Sequence, residues 1–272
     1  MFKNIPLSAA IGLTITATYF LAAIFADLIA PYGMAEAVGD VWEPSSAKYW
    51  LGTDQIGRDL LTRMIYGGQT TILIATLATI LSFTTGSVLG FIAAVSGGWI
   101  DQLMSRLVDL FMSIPSLILA LVILSSVEAT VVTLVVIMGL LDSTRVYRLA
   151  RAVAVDISVM DYVEAARLRG EKLAWIISRE ILPNALSPLV AEMGLRFIFM
   201  VLFISTLSFL GIGVQPPLAD WGGIVKENKE GINFGIGAAL YPAVAIATLS
   251  ISVNLIADWI LNRTTSLKGG RG

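Results

Sequence analysis

Residues 162–184 read YVEAARLRGEKLAWIISREILPN, a basic, helix-patterned stretch divided once by Gly170, in a chain that is otherwise strongly apolar. Before the glycine, Val163, Ala166 and, more loosely, Ala165 form a small apolar face, while Glu164, Arg167 and Arg169 point elsewhere. After it, Leu173, Ile176, Ile177 and Ile181 repeat at helical spacing and mark one amphipathic stripe. Glycine inside a helix costs about 1 kcal/mol relative to alanine, whereas it suits a C-terminal cap or sharp turn. Pro183 then stands against simple continuation, and Pro188 opens the next apolar run. The pattern predicts a short helix, a glycine turn and a second short helix. Periodicity alone leaves two uses open for such an elbow: lying on a membrane surface, or docking to another protein.

The surrounding composition sets the context. Of 272 residues, 56% are hydrophobic and only 14% charged. Soluble domains run nearer 45–50% apolar and about 25% charged. The mean hydropathy is +0.82. There are no cysteines and no histidines, which excludes disulfides, thiolate nucleophiles, the usual zinc ligands and the usual general base. No catalytic or metal-ligating constellation emerges, so the chain is expected not to be an enzyme. The net charge of −2 does not specify a partner, and no nucleic-acid partner is expected.

A spanning helix needs about 20 mostly apolar residues. About six such runs are present, near 7–30, 70–95, 107–127, 129–149, 187–213 and 236–261, giving an all-α polytopic membrane protein. The fourth is weakest, because Asp142 and Arg145 interrupt it. The first has too long an apolar core, after a single Lys, for a cleaved signal peptide and reads as an anchor. Lys and Arg accumulate on the cytoplasmic side. With both termini inside, the inner segments hold twelve of the eighteen: Lys3, Arg106, Arg145, Arg148, Arg151, Arg167, Arg169, Lys172, Arg179, Arg263, Lys268 and Arg271. The outer segments hold Lys48, Arg58, Arg63, Lys226 and Lys229, and Arg196 falls within the fifth span. The elbow is thus expected in the cytoplasm. The chain divides into a first helix and outer loop (1–69), a core of five spans (70–261) with the cytoplasmic loop 150–187 inside it, and a cytoplasmic tail (262–272).

The elbow resembles the EAA loop of ABC importer permeases. Glu164, Ala165, Ala166, Gly170, Leu182 and Pro183 fall at that pattern's spacings, while Glu180 replaces an apolar position. Three further stretches resemble the dipeptide, oligopeptide and nickel branch: LGTDQIGRDLLTRMIYG (51–67), SRLVDLFMSIPSLILA (105–120) and LSFLGIGVQPPLADWG (207–222). The tail NRTTSLKGGRG departs from the branch's usual ending. The resemblance implies a type I importer-like bundle in a prokaryotic inner membrane. It also implies a second homologous permease subunit, two cytoplasmic ABC ATPase subunits and an extracytoplasmic substrate-binding protein. Glu164, Ala165, Ala166, Arg167, Gly170, Leu182 and Pro183 are then the residues that couple to the ATPase. The branch carries dipeptides, longer peptides, nickel chelates and glutathione-like molecules.

No G-x-x-x-x-G-K-[ST] phosphate loop occurs, so ATP and Mg are expected to be used by partner subunits, with no cofactor on this chain. Glu192 and Arg196, four apart, share a helix face and read as a structural ion pair near the cytoplasmic end of the fifth span, or as a gate. Gly52, Asp54, Gly57, Arg58 and Asp59 read as a locally capped turn, or with Trp221 as an outer docking or partner surface. Gly86 and Gly90 form a small-xxx-small pair suited to close helix packing. The rival function is a secondary transporter driven by an ion gradient without an ATPase. It calls for carboxylates deep in the membrane and an internal repeat. The carboxylates read as lying near span ends, and no repeat stands out.

Overall fold

The computed structural model describes residues 5–269, with side chains through residue 262. Lys3, Arg271 and the side chains of Arg263 and Lys268, which enter the orientation count, lie outside the described residues. The helices are α1 (Leu7–Ile24), α2 (Ala26–Ile29), α3 (Leu60–Ser96), α4 (Gly98–Met112), α5 (Ser116–Leu124), α6 (Val131–Ser158), α7 (Asp161–Leu168), α8 (Leu173–Ile176), α9 (Leu182–Leu210), α10 (Trp221–Asn228) and α11 (Leu240–Gly269). Among the described residues β structure is confined to isolated bridges, Ala37 with Arg58 and Thr53 with Asp59.

Four continuous helices are long and apolar enough to cross a membrane, and α4 with α5 makes a fifth if the bent pair counts as one span. The 28-residue α6 is the remaining long helix and does not meet that standard. Asp142, Arg145, Arg148, Arg151 and Asp156 dilute its apolar character. Six passages therefore stand only when α6 and the bent pair are both counted.

Two expectations about continuity are corrected. The third span is not one rod, because α4 and α5 meet at 78°. Pro115 caps α5 in an extended conformation, φ −55° and ψ 121°, and the residue before a proline is driven out of the helical region. Pro183, in contrast, does not stop its helix. Leu173–Leu210 runs as one helix, with a π-helical turn at Ile177–Ile181 just ahead of the proline. A proline ring clashes with the carbonyl four residues back and leaves an acceptor unused, and a wider turn makes room for it. Asn184 Nδ2 donates to the Glu180 carbonyl next to the break at 2.7 Å.

The centre of the bundle is the pairing of α3 with α6. Lipid tails give packed helices no hydrophobic advantage, so association depends on close van der Waals fit. Small residues supply it from both sides. A Cβ at Gly86 would lie 2.6 Å from the Ser143 carbonyl, one at Gly90 2.8 Å from the Tyr147 carbonyl, and one at Gly139 3.0 Å from the Ala78 carbonyl. Several hydroxyls of α3 turn onto their own helix. Thr79 and Thr85 donate to the carbonyls of Ala75 and Leu81 at 2.7 Å each. Around this pair, α1 packs on α11, with Thr16 and Ser252 hydroxyls 2.9 Å apart and Tyr19 and Thr248 hydroxyls 2.7 Å apart. On the other side α4 is tied to α6 by polar groups at one-turn intervals: Asp101 to Arg151, Ser105 to Tyr147, and Asp109 to Arg148.

Gly86→Val and Gly90→Val are each expected to force α3 off α6 and destabilise the protein by about 1–3 kcal/mol. The readout is a lower melting temperature of the purified protein. Gly237→Ala, whose added Cβ finds Leu240 at 3.9 Å, should leave that temperature nearly unchanged.

Candidate functional site

Three groups of candidate residues lie along the α3–α6 axis: the elbow at one end, a loop cluster at the other, and a charge cluster between them.

The elbow follows directly from α6. Helix α7 ends in a Schellman turn: the Gly170 amide donates to the Arg167 carbonyl at 2.9 Å and the Glu171 amide to the Ala166 carbonyl at 3.2 Å. Gly170 sits at φ +77°, and a Cβ added there would find nothing within 4 Å, so the demand for glycine is conformational rather than steric. The apolar stripe turns inward. Val163, Ala166, Ile176 and Ile181 cluster with Phe91 of α3, Ala150 and Ala154 of α6, and Ala185 and Leu189 of α9. Ala166 is therefore placed differently from the other EAA-loop residues: it is fully buried against the chain's own bundle and fixes the elbow's position. Glu164, Ala165, Arg167, Leu182 and Pro183 are exposed. Arg169 folds back over the Trp175 ring at 5.7 Å. Sequence reading did not single out Leu168, which is 83% exposed, or the exposed Val159, Met160 and Tyr162 beside it. The signal for Leu168 was available, since it lies off the helical stripe that Val163 and Ala166 define.

Glu192 and Arg196 form the expected ion pair, with Arg196 Nη2 2.6 Å and Nε 2.9 Å from Glu192 Oε1. The pair sits about midway along α9 and reaches across to α6, with Arg196 Nη1 3.6 Å from Asp142 Oδ1. Arg145 Nη1 approaches the same oxygen at 3.6 Å, and Ser82 of α3 donates to Asp142 Oδ2 at 2.9 Å. Asp142 is buried and its Oδ1 accepts no hydrogen bond. The sequence marked Asp142 only as a weakness in its span. Its role as the point joining α3, α6 and α9 depends on tertiary contacts that no local spacing encodes. Asp109 of α4 stands apart from this cluster and bonds Arg148 at 2.6 Å, where both side chains are exposed.

At the loop end, the five turn residues are all buried. Asp59 caps α3, accepting from the Thr62 amide at 2.7 Å. Arg58 Nε donates to Asp54 at 2.6 Å, and both Arg58 and Arg63 donate to Glu227 of α10 at 2.6 Å. Glycine at 57 is required by φ +80° and by the Gly39 carbonyl 2.1 Å from any Cβ; Gly52 is as crowded. Trp221 is buried over Gly67 and Gly68, donating Nε1–H to the Met64 carbonyl at 3.0 Å. Gly52, Asp54, Gly57, Arg58, Asp59 and Trp221 thus form a folded-in scaffold, and Trp50, Ile56 and Val41 are the residues that face outward near it. Asp220, which no sequence signal singled out, caps α10 by accepting from the Gly222 and Gly223 amides at 3.1 and 3.2 Å. Burial pushes its carboxyl up to about 7, against the partial opposition of Ser208 and those amides.

Among known proteins, the family described as "Binding-protein-dependent transport system inner membrane component" matches residues 86–266. A dipeptide transport system permease protein of Alkalihalophilus pseudofirmus is 31% identical over 251 residues, covering 92% of this chain and 83% of that one. A di/tripeptide transport system permease protein of Pseudomonas aeruginosa is 32% identical, with 91% and 84% covered. A glutathione transport system permease protein of Pectobacterium atrosepticum is 29% identical, with 79% and 71% covered.

Two outcomes are expected. Asp220 holds a proton in the fold that a free carboxyl has released, so stability is fully present below about pH 4 and is lost as pH rises toward about 7. Melting temperatures of the purified protein should fall from pH 5 to pH 8, and Asp220→Asn should flatten that slope. Arg196→Gln leaves Asp142 with less compensation and should destabilise by about 3 kcal/mol or more. Asp142→Asn in the same chain should recover part of that loss, giving a measurable coupling in a double-mutant cycle.

Proposed function

The chain belongs to the family of binding-protein-dependent transport system inner membrane components, and from that premise we propose how it works. It is a multi-pass inner-membrane protein and the permease subunit of an ATP-driven ABC importer, not a gradient-driven secondary transporter. The names of its relatives support peptides or similar small solutes as the cargo. It forms half of the translocation pathway, with a second homologous permease supplying the other half. Two ABC ATPase subunits bind ATP and Mg in the cytoplasm, and a substrate-binding protein delivers solute from outside. Both termini lie in the cytoplasm, as the distribution of Lys and Arg supports.

The observation that carries the coupling role is the two-sidedness of the elbow. Its inner side is packed into the ends of α3, α6 and α9, so it cannot shift without moving them. Its outer side leaves Glu164, Ala165, Arg167 and Leu168 exposed, a mixed apolar and charged face suited to a groove in another protein. ATP binding closes the ATPases and draws the elbows of both permeases together, which turns the bundle outward to receive solute. Hydrolysis restores the inward-facing state. The nucleotide biases a two-state bundle by its unequal affinity for the two forms.

In the complete importer reconstituted in liposomes, Gly170→Val is expected to abolish stimulation of ATPase activity by the loaded binding protein and to lower uptake at least about tenfold. A left-handed backbone costs a residue with a side chain about 1–2 kcal/mol, and a β-branched one most. Gly170→Asn, which tolerates that conformation, should retain most of the coupling. Equal, normal coupling in both variants would remove the elbow from the mechanism.

A further inference from the structure

A cavity of about 610 Å³ opens between α3, α4, α5 and α6, within the size range of small-molecule sites. Its wall is mainly apolar, including Met104, Leu107, Phe111, Ile137 and Leu141, and among the described residues Arg145 is the one charged residue that lines it. Four hydroxyls line it, on Ser116, Ser143, Thr144 and Tyr147, and three of them are engaged. Ser143 donates to the Leu140 carbonyl and Thr144 to the Leu141 carbonyl, while Tyr147 meets Ser105.

Arg145 is in a different condition. Its guanidinium lies 4.6 Å over the Phe199 ring, and its nearest carboxylate oxygen, on Asp142, is 3.6 Å away, too far for a hydrogen bond. That carboxylate is shared with Arg196 and Ser82, and Glu192 is committed to Arg196. Charge is therefore balanced across the cluster, while Arg145 makes no hydrogen bond among the described residues. A guanidinium offers five N–H donors in a planar fork that matches a carboxylate. Here it is aimed into an apolar chamber and steadied from behind by an aromatic face.

We infer that Arg145 is the recognition point for the carboxylate of the solute as it passes through this subunit, with the apolar wall accepting its side chains. This inference rests on the proposed peptide cargo. A lipid phosphate offers related oxyanion chemistry, but the carboxylate is the better fit: the chamber is bounded by four helices of the chain and carries a single cation, enough for one end of a small zwitterion.

This chain has no cysteine, so a single introduced thiol can be followed in the complete permease–ATPase complex, with the complex of the unaltered chain as the blank for partner thiols. Leu141 lines the cavity one helical turn before Arg145. In a Leu141→Cys chain, an anionic methanethiosulfonate reagent should react about tenfold faster than a cationic one of similar size. In the Leu141→Cys, Arg145→Gln chain the two rates should converge. A mixture of free dipeptides at millimolar concentration should slow the anionic reaction severalfold, and the same mixture amidated at its C-termini should not. Arg145→Lys, which keeps the charge without the fork, should retain the reagent preference but protect less, and serves as the comparison if the Gln variant does not assemble. Reagent rates independent of Arg145, equal protection by acid and amide, or protection by anionic lipid alone each overturn the inference. Uptake by the unmodified importer separates the two levels. Peptide uptake that is normal while Arg145 proves indifferent overturns only this assignment, whereas no uptake of any peptide overturns the cargo reading beneath it.

Discussion

Everything in this bundle hangs on backbone-to-backbone contact between α3 and α6. Gly86 and Gly90 meet the carbonyls of Ser143 and Tyr147 at distances where no side chain fits, and Gly139 answers from the opposite helix. In lipid such contact is among the few ways two helices can prefer each other over the solvent around them. The consequence is a stiff central post. Phe91, Ala150 and Ala154 at one end of the post receive the elbow, and Gly67 and Gly68 at the other receive Trp221. The two candidate surfaces are thus mounted on one rigid element.

The charged groups between them carry a different meaning. A charge within a spanning helix is costly, up to about 2.5–3.5 kcal/mol at the helix centre on insertion scales. Asp142, Arg145, Glu192 and Arg196 share that cost by neutralising one another. A buried ion pair is weak evidence for stability, and a well-packed apolar replacement is often as stable. What the cluster does supply is register, since Asp142 accepts from Ser82 of α3 and faces Arg196 of α9. One carboxylate brings three helices together at one level, bonded to α3 and held to α9 by a longer Coulombic approach.

Legibility followed the range of the interaction. The helical class, the apolar runs, the glycine pair and the turn at Gly170 were readable because each is encoded within a few residues. The same locality misled at Pro183, where a proline that reads as a stop is absorbed by a π turn. It also missed the break at Pro115, where the apolar run continues although the helix does not. The direction of Ala166, the burial of residues 52–59 and the link from Arg196 to Asp142 are tertiary. Periodicity gives the face on which a residue lies but not what covers that face. Glu192 and Arg196 show the limit well: their i, i+4 spacing gave the pair, and nothing in it gave the third partner on another helix.

The elbow interrupts the chain between α6 and α9, so one displacement enters two helices at once. Helix α6 runs into it, and the continuous helix beginning at Leu173 runs out of it. At 1.5 Å per residue, Arg196 lies roughly 35 Å along that helix from Leu173. There α9 meets α6 again, through Arg196 and Asp142. The elbow and the charge cluster therefore close a long, narrow triangle with a helix on each side. A push at the elbow that changes the angle between the two helices must be resisted or relieved at its far corner. The contacts there are of the kind that can relieve it: the two 3.6 Å approaches to Asp142 are Coulombic and tolerate sliding, whereas the 2.6 Å bond from Arg196 to Glu192 stays within α9 and moves with it. Arg145, beside that corner and without a hydrogen bond among the described residues, shares Asp142 with Arg196 and also lines the chamber, so the corner and the chamber have one residue in common.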